Sequence, residues 1–286
     1  MQTLPNNLWV DQLIEALQSL VTLNEAITRA KIKRGVKPFE RKIEALVSRL
    51  FVKQGALLSK ALDRLGAVIE SASALFEQAD LTQQTLYDLF DLHTHATNAE
   101  YAKELQQIIE DCYLAGAALA GNQLDVTLSF DLKNPRTVTF LQSYGADLVS
   151  SVNDETKEQL RAILADGIDS GASYQQIAKA IKQLFPYMSG RTTGPKHIRS
   201  RAGLIAITES AKAYSQGNFD FIKSASDTGL TFEKAWLTVG DDRVSDDCRA
   251  NQNGGWIALD DAFLSGVKLV PQHPGCRCVV VYRRTP

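Results

Sequence analysis

From Lys42 to Ile69 the apolar positions fall at Ile43, Leu46, Val47, Leu50, Phe51, Leu57, Leu58, Ala61, Leu62, Leu65, Val68 and Ile69. A recurrence every three or four residues in an otherwise polar stretch predicts a long amphipathic helix. Upstream, Leu13, Ile14, Leu17, Leu20, Val21, Leu23 and Ile27 predict another, and Gly35 with Pro38 predict a turn that lets the two helices pair. Helical periods recur over about 81–92 and 100–119, the second through Leu105, Ile108, Ile109, Cys112 and Leu119. LDVTLSFDL at 124–132 alternates apolar and polar residues, which suits a short strand or an extended connector.

Beyond Asn134-Pro135, helices are expected over about 135–145 and 153–167. Ser173 and Gln176 form a capping-box pattern that opens a helix through Ile177, Ile181 and Phe185. PYMSGRTTGPKH at 186–197 has the Gly, Pro, Ser and Thr content of a mobile loop, and a helix over about 198–221 follows, with Leu204, Ile205, Ala211 and Tyr214 on one side. After Gly229 the pattern changes to short β-like runs, FEKAWLTV, GGWIAL and CRCVVVYRR, separated by Asp-rich turns such as GDDRVSDD. The expected class is α+β: a helical N-terminal region (1–125), a middle helical region with a connector (126–194), and a small C-terminal domain (195–286) with short antiparallel strands.

Composition changes this picture little. At 286 residues with 44% hydrophobic and 22% charged residues, the chain can bury a substantial core and is not a disordered polymer. A net charge of −2 gives no global electrostatic case for nucleic acid. The N-terminus lacks the basic and apolar regions of a secretory signal, and no run approaches the roughly 18 apolar residues of a membrane span, so a soluble protein made in the cytoplasm is expected.

The candidate chemistry gathers near the C-terminus. Cys248, His273, Cys276 and Cys278 are a donor inventory that tetrahedral zinc accepts. Their spacing fits less well, because Cys276 and Cys278 on one strand would share a face with a single residue between them. The competing readings are small buried cysteines with His273 holding a turn, and a disulfide from Cys248 to one of the later cysteines. Asp241, Asp242, Asp246, Asp247, Asp260 and Asp261 are read as turn residues before a hard-cation site. Glu209 beside Thr208 is a catalytic acid or a paired helix residue, with pairing the simpler account. Trp236 and Trp256 read as core or interface anchors, and Arg283 with Arg284 are too few to argue for phosphate binding.

IAITESAKAYSQG, KAWLTVGDDRVSDDCRANQNGG, the Phe263 to Gly266 Phe-x-x-Gly and PQHPGCRC, in this order and spacing, resemble the C-terminal domain of the Mu F-like minor head proteins of tailed bacteriophages, also called head morphogenesis proteins. The resemblance covers about 195–282 and extends more loosely upstream through Gly167, Gly171, Ser173, Ile177 and Ile181, and through Phe51 and Gln54. Many relatives have a Cys-x-x-Cys after Asp-x-Arg-Val; here its first position is Ser245, so a metal site would have to use His273 with three cysteines.

The resemblance implies a minor capsid component of the phage or prophage virion, inside the head, with the portal protein and capsid or scaffold proteins as partners and nonspecific contact with packaged DNA. It implies no membrane, no catalysis and no required cofactor. The competing class is an ADP-ribosyltransferase-like toxin domain carried in the head. Such an enzyme needs a late catalytic Glu, and no Glu follows Glu233. A zinc-dependent nuclease of the HNH type needs two His where only His273 follows His197. Glu209, Trp236, Asp242, Arg243, Cys248, His273, Cys276, Arg277 and Cys278 are accordingly expected to act as a structural constellation, Asp242 with Arg243 pinning a turn and Arg277 pairing with an Asp.

Overall fold

The computed structural model describes residues 8–73, 83–124, 135–170, 172–188 and 201–285. Five helices, α1 (Leu8–Ser73), α2 (Gln83–Leu124), α3 (Pro135–Asp169), α4 (Tyr174–Met188) and α5 (Arg201–Ser226), precede β1 (Phe232–Leu237), α6 (Asp246–Asn253), β2 (Trp256–Ala258) and β3 (Val279–Arg284). The strands form one antiparallel sheet in the order β2-β1-β3, with Glu233 opposite Ala258 and Trp236 opposite Val280. The class is α+β, as the sequence predicts.

The periodic residues are buried where the pattern puts them: Ile43, Leu46, Val47, Leu50, Phe51, Leu58 and Leu62 of α1 join Leu105 and Ile109 of α2, Leu160 and Leu164 of α3, Ile177, Ile181 and Phe185 of α4, and Ala206, Ala213 and Tyr214 of α5 in one apolar core. Helix α4 opens as expected: Gln176 donates its backbone N–H to Ser173 Oγ at 3.4 Å, and Ser173 N–H donates to Gln176 Oε1 at 2.7 Å. Phe51 and Gln54 are both wholly buried, the first under the Arg201 guanidinium at 5.1 Å and the second donating to Asn153 Oδ1 at 2.9 Å.

Three expectations are corrected. The turn at Gly35 and Pro38 is absent, and α1 runs through both residues. A proline inside a helix costs about 3 kcal/mol, but Ile32 and Val36 before it and Ile43 and Leu46 after it are buried in the same core, and each such side chain contributes roughly 1.5–3 kcal/mol. Gly35 is needed for packing rather than for a turn, since a Cβ there would stand 2.4 Å from Tyr214 Oη. Likewise the segments expected as separate helices at 81–92 and 100–119 are one helix, as are those at 135–145 and 153–167. The strand or connector expected at 124–132 lies outside the described residues except for Leu124, the last residue of α2, and the loop expected at 186–197 lies outside them beyond Met188, the end of α4.

Helices α2 and α5 make the most extensive contact between elements. They meet backbone to backbone: a Cβ on Gly116 would lie 2.0 Å from the Tyr214 carbonyl oxygen, and one on Gly217 would lie 1.9 Å from that of Tyr113. Tyr113 donates its hydroxyl to Asp220 Oδ2 at 2.7 Å, Gln216 Nε2 donates to Asp220 Oδ1 at 3.1 Å, and Cys112 Sγ donates to the Ser210 carbonyl at 3.4 Å. Both carboxylate oxygens of this buried acid are therefore engaged. Replacing either Gly116 or Gly217 by Ala forces the helices apart, and overpacking of this kind costs about 1–3 kcal/mol or more. Chemical denaturation of Gly116→Ala and Gly217→Ala proteins should show that loss. Asn122→Ala, at an exposed position in the last turn of α2, should leave stability unchanged or slightly raised, because alanine is the better helix former.

Candidate functional site

The end module is built around a second apolar cluster in which Trp236 of β1, Cys248 of α6, Phe263, Val270, Cys276, Cys278 and Val280 meet. Trp236 packs edge-on against Phe263 with ring centroids 5.0 Å apart. Helix α6 was not expected from the sequence, where its residues read as a turn. Ser245 starts it as N-cap, its Oγ accepting from Cys248 N–H at 3.3 Å, with Asp246 and Asp247 in the first turn where the helix dipole favours negative charge. That Ser-Asp-Asp signal was legible and was outweighed by the turn propensity of Asp.

Helix α6 is held on two sides. Gln252 Oε1 accepts from Thr238 N–H at 2.8 Å and from its hydroxyl at 2.7 Å. Buried Asn251 donates to Ser265 Oγ at 2.8 Å and accepts from Ser265 N–H at 2.9 Å, and Ser265 in turn donates to Gln272 Oε1 at 2.7 Å. The next turn, His273-Pro274-Gly275-Cys276, closes with Cys276 N–H donating to the His273 carbonyl at 3.0 Å. Pro274 supplies the first central position and Gly275, at φ +74°, the left-handed second one. Gly275 N–H donates to Thr208 Oγ at 2.9 Å, which fastens the turn to α5.

These supports bring three donors together. Cys248 Sγ lies 3.8 Å from Cys276 Sγ and 3.8 Å from His273 Nε2, and the three atoms all lie within 4.8 Å of one another. Among the described residues this is the one group of His, Cys, Asp or Glu side chains close enough to share an ion. Cys278 is buried beside it, its sulfur interacting with those of Cys276 and Cys248 and with the Trp236 indole. Hydrogen bonding from the Cys278 thiol, aided by backbone contacts at Gln272 and Cys278, pushes the Cys276 thiol down to about 5, while burial pushes Cys248 up. All four cysteines are free and buried, so the expected alternative of a disulfide is not formed here.

Cys276 and Cys278 precede β3 rather than lying on it, contrary to the expectation that CRCVVVYRR is a continuous strand. Arg277 between them turns the other way and donates to Asp241 Oδ1 at 2.8 Å, the pairing expected for it. The turn-pinning acid is Asp241 and not Asp242: Asp241 Oδ1 also accepts from Arg243 N–H at 3.2 Å, whereas Asp242 is exposed. The Asx-turn geometry, two residues from acceptor to donor, selects the first Asp of the pair. Arg243 keeps a longer contact to the same carboxylate at 3.6 Å. Glu209 is half-buried on α5 next to Thr208, outside the cysteine and histidine group. Trp256 is 38% exposed and lies under Arg283, whose guanidinium is 4.4 Å from its ring centroid and ion-paired to Glu233 at 2.6 Å. A cavity of about 580 Å³ between α1, α5 and this module is lined by Arg29, Lys33, Tyr214, Arg277, Cys276 and Cys278, among others.

Residues 158–281 match the family described as phage Mu protein F like protein. Through this segment the chain is similar to the phage Mu protein F like family. The match takes in α4, α5, the whole Cys/His group and the first half of β3, and it reaches further upstream than 195, into α3. The match agrees with the coarse reading of a phage head-morphogenesis protein that the sequence motifs imply. Neither the curated proteins nor the solved structures compared with the chain gave a match. No helix among the described residues is long and apolar enough to cross a membrane.

Sequence reasoning missed Lys234, a fully buried lysine in the Mu F-like segment. Its Nζ donates to the Lys268 carbonyl at 3.1 Å and lies 5.2 Å and 5.5 Å from the Phe263 and Phe219 ring centroids. Its place in the alternation, between Phe232 and Trp236 on one side of β1, was the available signal.

Two pH responses follow. Burial, with Lys268 adding to it and Asp260 and Asp261 opposing, pushes Lys234 down to about 8. The unfolded chain then holds more protons than the folded one between about 8 and the ordinary lysine value of 10.5, so stability rises with pH across that window. Lys234→Met should abolish the rise and be at least as stable at neutral pH, read from melting temperatures across the window. Asp241 responds in the opposite range. The hydrogen bond from Arg277 lowers its carboxyl, so its contribution is present above the ordinary aspartate value of 3.8 and is lost as pH falls through the lower folded value. An Asp241→Asn protein should lack that part of the acid loss of stability.

Proposed function

We propose that this protein is a portal-associated minor head protein, enclosed in the procapsid, that assists head assembly or DNA delivery without catalysing a reaction. The observation that carries the reading is the family segment itself, which comprises the tail of a long helical bundle and the module it supports. Four partly or fully buried charged groups within that segment are engaged structurally. Arg201 bonds Glu155, Thr156 and the Val152 carbonyl, Asp220 bonds Tyr113 and Gln216, Lys234 bonds the Lys268 carbonyl, and Arg277 bonds Asp241. None of these stands as an acid or base facing a nucleophile across an open cleft, which is the arrangement a catalytic reading requires.

The partners on this reading are the portal protein and capsid or scaffold proteins, inside the virion head. Contact with packaged DNA is nonspecific and salt-sensitive, since a net charge of −2 supplies little attraction beyond local basic groups. The ADP-ribosyltransferase alternative keeps its original weakness, the absence of any Glu after Glu233.

Co-expression with the portal, capsid and scaffold proteins of the same phage or prophage tests the reading. Co-elution with the portal, resolved as a defined complex by native mass spectrometry, is the expected result. Failure to associate with any of the three, or consumption of NAD by the purified protein, would overturn it.

A further inference from the structure

We propose that Cys248, His273, Cys276 and Cys278 hold a structural zinc ion that closes the end module, against the expectation that no cofactor is required. This is independent of the portal reading and rests on the geometry of the site.

The first observation is spacing. Zinc–sulfur bonds of about 2.3 Å in a tetrahedron place neighbouring sulfurs about 3.8 Å apart, and a sulfur and an imidazole nitrogen slightly closer. Cys248 Sγ lies 3.8 Å from Cys276 Sγ and 3.8 Å from His273 Nε2. The donors come from two pieces of chain far apart in sequence, the first turn of α6 and the 273–278 segment that leads into β3, so Cys248 meets the others through the fold and not through sequence adjacency.

The second is the orientation of His273. Its Nδ1 lies 3.0 Å from the Pro274 carbonyl oxygen, which can only accept, so Nδ1 carries the proton and the Nε2 lone pair faces the two sulfurs. Metal-bound histidines are commonly held by this kind of carbonyl partner on the far nitrogen.

The third is a donor beside the site. The buried Trp236 indole N–H makes no hydrogen bond of ordinary geometry, and the group it interacts with is the Cys278 sulfur. A thiolate bound to a cation, richer in charge than a thiol, is a stronger acceptor for that N–H. Backbone contacts at Gln272 and Cys278 reach the Cys276 sulfur in the same way.

The sequence objection to zinc also falls. It required Cys276 and Cys278 to lie on one strand, and they lie in the irregular segment before β3. Ser245 is occupied as the N-cap of α6, and Cys278 is the sulfur available to complete the set. Cys278 is outside the tight trio and reaches the ion by a side-chain adjustment within the same buried cluster. The cavity lined by Cys276 and Cys278 gives the ion a path in. Each thiol that binds gives up its proton to solvent as its sulfur–zinc bond forms. With four protein donors the site is closed, which suits a structural and not a hydrolytic ion.

The test uses the full chain, produced in zinc-supplemented medium and purified under reducing conditions without chelator. Elemental analysis with native mass spectrometry should find about one zinc per chain, and X-ray absorption should give a four-coordinate shell of sulfur with one imidazole. Cys248→Ala and His273→Ala should each lose most of the metal, and Cys112→Ala, in the helical core, should keep it. Because the site variants can fail to fold, the wild-type absorption spectrum is decisive alone: a shell without sulfur overturns the proposal. So does a folded wild-type protein that carries no zinc, carries another metal in its place, or forms a Cys248–Cys276 disulfide under these conditions.

Discussion

The crossing of α2 and α5 through Gly116 and Gly217 sets the rest of the structure. Each glycine lies against the backbone carbonyl of a tyrosine on the other helix, Tyr214 and Tyr113, and each tyrosine stands three residues before the glycine on its own helix. Glycine in a helix costs about 1 kcal/mol relative to alanine, and the contact returns this by letting two helices pack at backbone distance. The approach also fixes the polar groups around it. Asp220 can accept from Tyr113 across the interface, and Cys112 can reach the Ser210 carbonyl, only at that separation.

Helix α5 carries this constraint outward. Its early part, with Ala206, Ala213 and Tyr214, lies in the helical core, and its later part packs Phe221, Ile222 and Ala225 against Ala117 and Ala120 of α2, Phe232 of β1 and Leu259. Thr208 then holds the Pro274-Gly275 turn by a single hydrogen bond. The end module is therefore placed by the same helix that the glycine crossing positions, and the Cys/His group is a few bonds from the bundle core.

The helices were legible because their apolar periods are long and strict, and the residues named from the period, Ile43 through Leu62 among them, are the ones buried. What could not be read was where helices continue. Gly35 and Pro38 have the local chemistry of a turn, and only the tertiary partners, Tyr214 over Gly35 and the core on both sides of Pro38, keep α1 going. The strands after Gly229 were legible from alternation and turn residues. Helix α6 was not, because eight residues with a single apolar Cys248 facing inward carry almost no period. At the site, the residue types were readable and their pairing was not: Asp241 and Asp242 are equivalent in sequence, and only the turn decides which one meets Arg277.

A module of this size has a physical problem of its own. A core built from Trp236, Val244, Phe263, Val270 and Val280 with a few partly buried neighbours is small, and domains below about 70–80 residues rarely gain more than 3–5 kcal/mol from such a core alone. Part of the deficit is met by leaning on α5 through Phe232 and Leu259. Beside the same small core lies the buried Lys234, whose desolvation has to be offset by the rest of the fold. Sulfur and imidazole donors at metal-ligand spacing, which join α6 to the segment leading into β3, are where a further tie would add to this core. Small domains with undersized cores are commonly stabilised in this way, and a cysteine-rich cluster is more consistent with that need than with chemistry performed on a substrate.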